Sequence, residues 1–415
     1  YYSDSYVYPV ISKVETTATS SSITTTVTAT KGTNNISKYY YSIDGGNTFV
    51  ESKSNSYTFN SLTKNTSYKI IVKVMDSNNK YSNVFVTTSK TSDSVTLADY
   101  VKSQYTGTQG ANDIYYHNSS LANGAGDNSY RYAGANPNNY VCFGSNASTC
   151  PENNLYRIIG VFGDNVKLIK ATMAKSDLLG TNGGYYSDTK YKWSNLSSCP
   201  SDTSAYKNNI KRLVKSNIFK SSDKNTILVW DTPEAGGCNI WNWSALNTIN
   251  LNTNYLNKIG TTWSSMIESA TWKVGGNTYV NIVEVVPATA YQNEILNLTE
   301  SKTEYTAKVG LMYVSDYGFA ADPSAWTRKL GVDSGNGYGN NIVKTVNWMY
   351  MGLNEWTITR KSEENYIVFY LPDGGNLNFN NTDGTFAIRP TFYLLPSVVY
   401  SGGPGTQSNP IRLEV

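Results

Sequence analysis

The stretch that decides the fold is residues 380–395, NNTDGTFAIRPTFYLL. An Asp-Gly turn at residues 383–384 leads into an apolar strand, in which a single arginine, Arg389, is followed at once by Pro390. Proline removes a backbone donor and therefore marks a sheet edge or a bulge. An arginine among apolar residues needs a carboxylate or several carbonyl oxygens around it. We therefore predict that Arg389 is a structural anchor, with a ligand contact as the alternative.

Composition limits the class of protein. A chain of 415 residues is too long for one ordinary core, so two or three domains are expected. Charged residues make up only 16% and the net charge is +3, which argues against nucleic-acid partners. The 34 tyrosines and nine tryptophans favour strands and surfaces that contact sugars or proteins. No apolar run is long enough to span a membrane, and no signal segment precedes Tyr1, so we expect a mature, processed form.

The four cysteines are Cys142, Cys150, Cys199 and Cys238. We predict two disulfides, Cys142–Cys150 and Cys199–Cys238, because the first pair brackets a short turn-rich loop and the number is even. Disulfides imply an oxidising, extracytoplasmic setting. The alternative is four free thiols in a cytosolic protein. A zinc site is less favoured, since the chain has a single histidine, His117, and the cysteine spacing fits no common finger.

The sequence pattern of the N-terminal residues predicts β-strands throughout. We expect a lead-in over 1–8, a sandwich over 9–88 and a Ser/Thr linker over 89–97, because short β-branched strands recur between turn signals such as Asp44-Gly45-Gly46. Leu62, followed after five residues by Tyr68 at the start of a long alternating strand, resembles the tyrosine corner of fibronectin type III domains. The family's corner proline and early-strand tryptophan are missing here. The resemblance implies an immunoglobulin-like sandwich that acts mostly as a spacer.

Residues 98–415 read as a mixture of helices and strands. A helix is predicted over 97–102, and a hairpin is predicted from the strands 154–162 and 166–170. Apolar periodicity predicts helices over 205–219 and 244–259 and a third short helix over 263–272. Further strands are predicted at 279–286, 308–314 and 366–371.

The order of several short motifs in this region carries a second resemblance. They are Cys142…Cys150, residues 155–160, 310–318, 347–348, 355–357, 388–390 and the Gly405-Thr406…Asn409-Pro410 tail. In this order they resemble C-type-lectin-like modules on surface proteins of low-GC Gram-positive gut bacteria, some of which are pilin-like. The resemblance implies an α+β fold that binds a ligand. The same fold carries formylglycine-generating enzymes, but these need a late cysteine pair and no cysteine follows Cys238, so that chemistry is not expected here and a binding role without catalysis is.

The predicted recognition segment runs from Trp356 to Asn381. Its candidate ligand-binding residues are Trp356, Arg360, Asn365, Tyr366, Asn376, Asn378 and Asn380. The three alternating asparagines would share one strand face, where amides offer both donors and acceptors to a sugar or a peptide edge. The alternative is a solvated strand face in an Asn-rich chain.

Metal and acid–base chemistry have weaker signals. Oxygen ligands for Ca²⁺ could come from Asp316, Asp322, Asp333, Asn336 and Asp383. Because no compact D-x-D-x-D-G loop is present, structural turns explain these residues better, and we expect no metal and no cofactor apart from this calcium option. His117 is expected to be incidental. Paired carboxylates for glycoside hydrolysis have no local signal.

The sequence thus predicts a secreted or surface-anchored bacterial protein that acts in adhesion or ligand binding. Its expected partner is a glycan or protein of a host or neighbouring cell, and copies of the chain itself are a further candidate. Two alternatives remain: a structural subunit of a surface filament or pilus, and a carbohydrate-active enzyme.

Overall fold

The computed structural model describes residues 5–180, 227–229, 239–244, 246–296, 304–332, 335–339, 342–364, 366–382 and 384–415. It divides into two compact units, Tyr1–Leu97 and Ala98–Val415.

The N-terminal unit is an all-β sandwich. Its described strands are β1 (Val10–Ala18), β2 (Ile23–Thr30), β3 (Ile36–Ser42), β4 (Val50–Ser52), β5 (Ser56–Phe59), β6 (Ser67–Asp76) and β7 (Phe85–Lys90). One sheet has the order β1-β2-β5 and the other β4-β3-β6-β7. Alternate residues of β2, such as Ile23 and Val27, are buried, as expected for a strand with one face on a core. The predicted sandwich is therefore confirmed.

The tyrosine corner forms as the spacing predicted. The Tyr68 hydroxyl accepts a hydrogen bond from the backbone N–H of Thr63 at 2.9 Å. This bond ties the start of β6 to the loop that precedes it, as in fibronectin type III-like sandwiches. Together with the two-sheet strand order, the corner makes the N-terminal unit fibronectin type III-like.

The ends of the sandwich differ from the sequence boundaries. The N–H of Thr33 donates to the carbonyl of Val7 at 2.9 Å, so the described part of the lead-in packs on its own unit. The Tyr6 hydroxyl donates to the carboxylate of Asp76. Strand β7 continues to Lys90, two residues beyond the expected domain end at 88, because its backbone still pairs with β6 there.

The C-terminal unit combines short helices with mainly antiparallel sheets. Its described helices are α1 (Leu97–Ser103, beginning at the last residue of the first unit), α2 (Ser176–Leu179), α3 (Leu256–Ser264), α4 (Tyr279–Ile282), α5 (Pro287–Tyr291), α6 (Val314–Ala320) and α7 (Ile342–Val346). Wider π-type turns, Leu246–Tyr255 and Gln292–Leu296, run directly into α3 and out of α5. Short 3-10 turns are Ala111–Asp113, Glu152–Asn154, Trp241–Trp243 and Pro323–Ala325.

The C-terminal unit has 17 described strands, most of which belong to two principal sheets. They are β8 (Ile114–Tyr116), β9 (Tyr130–Tyr132), β10 (Tyr140–Cys142), β11 (Leu155–Phe162), β12 (Asn165–Lys170), β13 (Ile227–Val229), β14 (Ala270–Lys273), β15 (Gly276–Asn277), β16 (Glu304–Ala307), β17 (Val309–Gly310), β18 (Glu355–Lys361), β19 (Ile367–Leu371), β20 (Asn378–Asn381), β21 (Thr385–Ala387), β22 (Thr391–Tyr393), β23 (Tyr400–Gly402) and β24 (Arg412–Leu413). In the described part, the first sheet has the order β17-β22-β12-β11-β9-β8, with β10 on β11. The second has the order β13-β21-β18-β19-β20, with β15 on β18. Both β15 and β21 pair with β18 in parallel.

One apolar core joins the two sheets. Ile159 and Ile169 come from the first sheet, Phe369 and Leu371 from the second, and Tyr317 from α6. These side chains are all buried and in contact within one cluster. Burial of apolar surface on this scale is the main stabilising term of such a unit.

The hairpin and two helices agree with the sequence predictions. Strands β11 and β12 pair as predicted, and α1 covers the expected helix. The predicted helix over 244–259 is helical from Leu246, and the helix continues to Ser264 with a break at Gly260, whose φ is 81°. The predicted helix over 205–219 lies outside the described residues.

Three element predictions are wrong. Residues 279–286 begin as helix α4 rather than a strand, because the Thr278 side chain accepts the N–H of Asn281 and caps the first turn. The third helix predicted over 263–272 ends at Ser264, and β14 then pairs with β16. Of the strand predicted over 308–314, only Val309–Gly310 forms a described strand, and α6 begins at Val314. A short apolar run fits both the period of a helix and the period of a strand, so local capping and strand pairing decide which of the two elements forms.

Candidate recognition face on the second sheet

Strands β18, β19 and β20 lie side by side and antiparallel. Two rows of directly paired residues cross them: Trp356–Tyr370–Asn378 and Arg360–Val368–Asn380. Directly opposed residues share a face of the sheet, and so do residues two apart along a strand. The structure therefore brings four of the predicted recognition residues onto one face, although about twenty residues separate the two ends of each row in the sequence.

Exposure rises toward the edge strand along the first row, whereas in the second row Arg360 is half-buried, Val368 is buried and Asn380 is exposed. Trp356 is 0% exposed, Tyr370 is half-buried, and Asn378 and Asn380 are exposed. The ring of Phe386 packs on both aromatic residues, with centroids 4.3 Å from Tyr370 and 4.4 Å from Trp356. Trp356 is thus a core residue that supports the face, and a ligand could reach only the outer end of the row. We call Asn378, Asn380 and Tyr370 the edge face.

Two asparagine side chains of β20 bond to backbone N–H groups of the same strand, which lies at a sheet edge. Among the described strands, β20 pairs with β19 alone. The N–H of Phe379 donates to Asn378 Oδ1 at 2.8 Å, and the N–H of Asn381 donates to Asn380 Oδ1 at 2.7 Å. Successive N–H groups of a strand point to opposite sides, and the N–H of Thr382 donates to Tyr366 O beside β19. The N–H groups of Asn381 and Phe379, one and three residues earlier, therefore point away from β19. The side chains therefore occupy the outward donors of the edge and leave their own Nδ2 groups for a ligand.

The remaining predicted residues lie elsewhere or outside the described chain. Asn376 precedes β20 and is 9% exposed, and its Nδ2 donates to Gly331 O at 3.4 Å. The prediction that it shares a strand face with Asn378 and Asn380 is wrong, because a turn at Gly375, with φ of 86°, places it against the core. Tyr366 is 37% exposed just before β19. Asn365 lies outside the described residues.

Sequence reasoning missed the residues that hold the 361–367 turn beside this face. Asn239 Nδ2 lies 2.7–2.8 Å from the carbonyl oxygens of Lys361, Glu364 and Ile367. Asn277 accepts the N–H of Ser362 through its own carbonyl at 2.9 Å. Because these contacts span more than 80 positions, no local pattern in the sequence marks them.

Arg389 sits behind the face in a buried ion pair. Its Nε donates to Glu355 Oε1 at 2.6 Å, and one NH2 group donates to Glu355 Oε2 at 2.9 Å and to Met349 O at 2.8 Å. Both side chains are 2% exposed or less. Burial raises the pKa of Glu355, and the nearby guanidinium lowers it again in part. Glu355 and Trp356 are consecutive residues of β18, so the anchor and the supporting tryptophan occupy adjacent positions of the same strand.

A second buried ionic cluster lies under the first turn of α6. Lys167 Nζ lies 2.6 Å from Asp316 Oδ2, and Arg131 pairs with Asp127 at 2.7 Å. Burial opposes ionisation of Asp127, but Arg131 and the Ser129 hydrogen bonds hold the pKa of that carboxyl below its usual value. The Lys167–Asp316 contact ties the first sheet to α6, and both of its side chains are 2% exposed or less.

Glu294 adds a buried carboxylate that the sequence did not indicate. Its oxygens accept the N–H groups of Val314 and Ser315 at 2.9 and 3.0 Å, and Thr359 donates its hydroxyl to the same carboxylate. Burial raises the pKa of Glu294. The carboxylates Glu294, Asp316 and Glu355 are thus all 2% exposed and engaged in internal hydrogen bonds or ion pairs.

The calcium option has little support in the described chain. The two oxygens of Asp316 face Lys167, Arg131 and the N–H of Tyr313, and Asp322 accepts from Ser324. Asp333 and Asp383 lie outside the described residues. In the part that the structure describes, no three His, Cys, Asp or Glu side chains group closely enough to hold a metal ion. A site already filled by cationic side chains does not fit Ca²⁺.

Two further sequence predictions have a structural outcome. Cys142 and Cys150 form the predicted disulfide, whereas Cys199 and Cys238 lie outside the described residues. His117 is 0% exposed and contacts the rings of Phe319 and Trp326, and its Nδ1 accepts the N–H of Ala125 at 3.0 Å. Burial, with Arg131 nearby, lowers the pKa of His117 well below its usual value.

No described helix has the length and apolar character needed to cross a membrane.

Similarity to known proteins was found among solved structures. No family model matches the chain, and no curated protein matches it. Among solved structures, the chain is similar to a chitinase, ChiA74 from Bacillus thuringiensis, with 21% identity and a TM-score of 0.19 over 22% of this chain and 15% of the chitinase. The PKD1 domain of the Vibrio cholerae metalloprotease PrtV is 23% identical, with a TM-score of 0.18 over 21% of this chain and 99% of that domain. The fn3 domain of human collagen alpha-1(XX) is 19% identical, with a TM-score of 0.19 over 22% of this chain and 92% of that domain. Similarity at this level carries no functional argument.

Proposed function

We propose that this chain is an extracellular bacterial surface protein that binds a glycan or a protein through its C-terminal unit. In this proposal the C-terminal unit is C-type-lectin-like, the edge face is the contact surface, and the fibronectin type III-like unit is a spacer. The function is adhesion or ligand capture without catalysis.

The observation that carries the proposal is the edge face itself. Asn378 and Asn380 are exposed and stand two residues apart on one strand, and Tyr370 is the direct cross-strand neighbour of Asn378. Amide groups beside an aromatic ring match the donors, acceptors and apolar faces of a saccharide or an extended peptide. Because the backbone donors of β20 are already occupied, recognition would depend on side chains rather than on strand addition.

The extracellular part of the proposal rests on the disulfide. Cys142 and Cys150 are bonded in the C-terminal unit. Disulfides persist mainly in oxidising compartments. The non-catalytic part is supported by the internal engagement of the buried carboxylates Glu294, Asp316 and Glu355.

The test is a glycan and protein array probed with the whole chain. We expect binding to a restricted set of ligands and its loss in the double variant Asn378→Ala/Asn380→Ala. The matched control is Asn381→Ala, which removes an exposed amide from the opposite face of the same strand. Equal binding by the double variant and the wild type would contradict the assigned surface, and turnover of an array glycan would contradict the non-catalytic function.

A further inference from the structure

A separate cavity of about 450 Å³ lies between the loop closed by the disulfide and the hairpin β23–β24. Small-molecule sites usually fall within about 300–1,000 Å³, so this volume is sufficient for a small ligand. The polar and aromatic residues that line it are Ser145, Asn146, Ser148, Trp263, Ser401 and Arg412. None of them belongs to the edge face.

The walls of this cavity are held in place by covalent and hydrogen bonds. The Cys142–Cys150 bond closes the loop, and the N–H of Cys142 donates to Ile411 O at 2.9 Å. The two terminal nitrogens of Arg412 donate to Ala147 O and Ser148 O, each at 2.8 Å. A site built in this way needs little ordering on binding, which favours affinity for a small ligand.

The lining is rich in hydrogen-bond donors and has a single charged side chain. No aspartate, glutamate or lysine is among the described lining residues, and Arg412 supplies the positive charge. A guanidinium has five N–H donors. Only two of them are needed for the loop carbonyls, so three remain to pair with an anion. Serine hydroxyls, an amide and the indole of Trp263 complete a surface suited to a hydroxyl-rich ring.

We propose that this cavity binds a small saccharide that carries a carboxylate, with Arg412 pairing with the carboxylate and Trp263 bordering the sugar ring. The half-buried arginine supplies charge complementarity, and charge-assisted hydrogen bonds are about twice as strong as neutral ones. The site is distinct from the edge face and does not depend on the function proposed for that face.

The test is calorimetric titration of the full chain with two matched pairs of sugars: D-glucuronate against D-glucose, and D-galacturonate against D-galactose. Within each pair the ligands differ in the carboxylate. We expect at least one acid to bind about tenfold more tightly than its neutral partner or better, which corresponds to one charge-assisted bond. Equal affinity within both pairs, or no binding by either acid at the highest soluble concentration, would overturn the proposal.

Two variants locate the site. Arg412→Gln should abolish the preference for the acid, while Arg328→Gln should keep it, because Arg328 is another arginine that donates to a loop carbonyl, Gly335 O, but lies outside the cavity. Asn146→Ala leaves the Arg412 bonds to the loop intact and should weaken binding of the acid. Binding unchanged in both Arg412→Gln and Asn146→Ala would place the sugar elsewhere and refute the assignment, and Asn378→Ala/Asn380→Ala should have no effect on it.

Discussion

The centre and the edge of the second sheet use polar side chains in opposite ways. At the centre, Glu355 of β18 is buried and bonded to Arg389 by two short hydrogen bonds. At the edge, two strands away, Asn378 and Asn380 are exposed and bond to their own backbone. The comparison teaches that a buried arginine can anchor the interior of a sheet, whereas the exposed asparagines of its edge, which add little to stability, are the groups that we propose for recognition.

The largest expected effect is loss of the central ion pair. Arg389→Leu leaves the Glu355 carboxylate buried without its cation, and removing one partner of such a pair costs about 3–5 kcal/mol. The free energy of unfolding should be measured by tryptophan fluorescence in urea. This probe reports the C-terminal unit alone, because all nine tryptophans lie beyond residue 98.

Two controls sharpen this measurement. Arg328→Leu removes a half-buried arginine whose hydrogen bond to Gly335 O is solvent-exposed, and it should change stability by about 1 kcal/mol or less. The double variant Arg389→Met/Glu355→Met removes both charges and should recover much of the loss, since an apolar pair can replace a buried ion pair. A single variant as stable as the wild type would show that the pair is not an anchor.

The next largest effect is a pH dependence of the unfolding free energy of the C-terminal unit, caused by His117. His117 is buried and its pKa is lowered, so it stays neutral in the folded unit while the unfolded chain binds a proton below about pH 6.5. The unfolded state therefore holds more protons there, and this contribution to stability is constant above about pH 6.5 and is lost as the pH falls below that value. The loss is at most about 1.4 kcal/mol per pH unit.

The comparison with His117→Asn isolates this contribution. Burial raises the pKa of Glu294 and Glu355, which gives stability an opposite slope in the acid range, so the difference between wild type and variant is the quantity to measure. We expect the difference in unfolding free energy to shrink as the pH is lowered from 7.5 to 5.5, on the order of 1 kcal/mol in total. A difference independent of pH would contradict a neutral, buried His117.

The smallest effect on stability is expected at the edge. Asn378→Ala/Asn380→Ala should change the unfolding free energy by less than about 0.5 kcal/mol, because both side chains are exposed. The change does free two outward N–H groups of β20, which makes the edge a better template for another strand. Sedimentation velocity should therefore show more self-association in this variant than in Asn381→Ala. Identical sedimentation of the two variants would contradict the occupied-edge geometry.

The sequence predicted some of this architecture through local signals. The Leu62…Tyr68 spacing identified the tyrosine corner, and the alternation around Gly163-Asp164-Asn165 identified the β11–β12 hairpin. The arginine before Pro390 indicated a need for a carboxylate, but the sequence did not identify Glu355, which lies 34 positions away. Such long-range partners follow from sheet order, which local patterns do not encode.

The candidate site shows the same limit. Alternating Asn376, Asn378 and Asn380 were expected to share a face, but the turn at Gly375 removes Asn376 from the strand. Trp356 was expected to contact a ligand, yet the packing of Phe386 and Tyr370 accounts for its complete burial. Tyr370 was not among the predicted residues, because its place between Trp356 and Asn378 depends on the register of three strands.

The central claim is that stability and recognition are separated across this sheet. The most direct measurement compares affinity and unfolding free energy in one double variant, Asn378→Ala/Asn380→Ala, against a ligand found on the array, at protein concentrations below self-association. We predict at least tenfold weaker binding, corresponding to about 1.4 kcal/mol, with stability unchanged within about 0.5 kcal/mol. Affinity that stays at the wild-type value, or that falls only together with stability, would contradict the account.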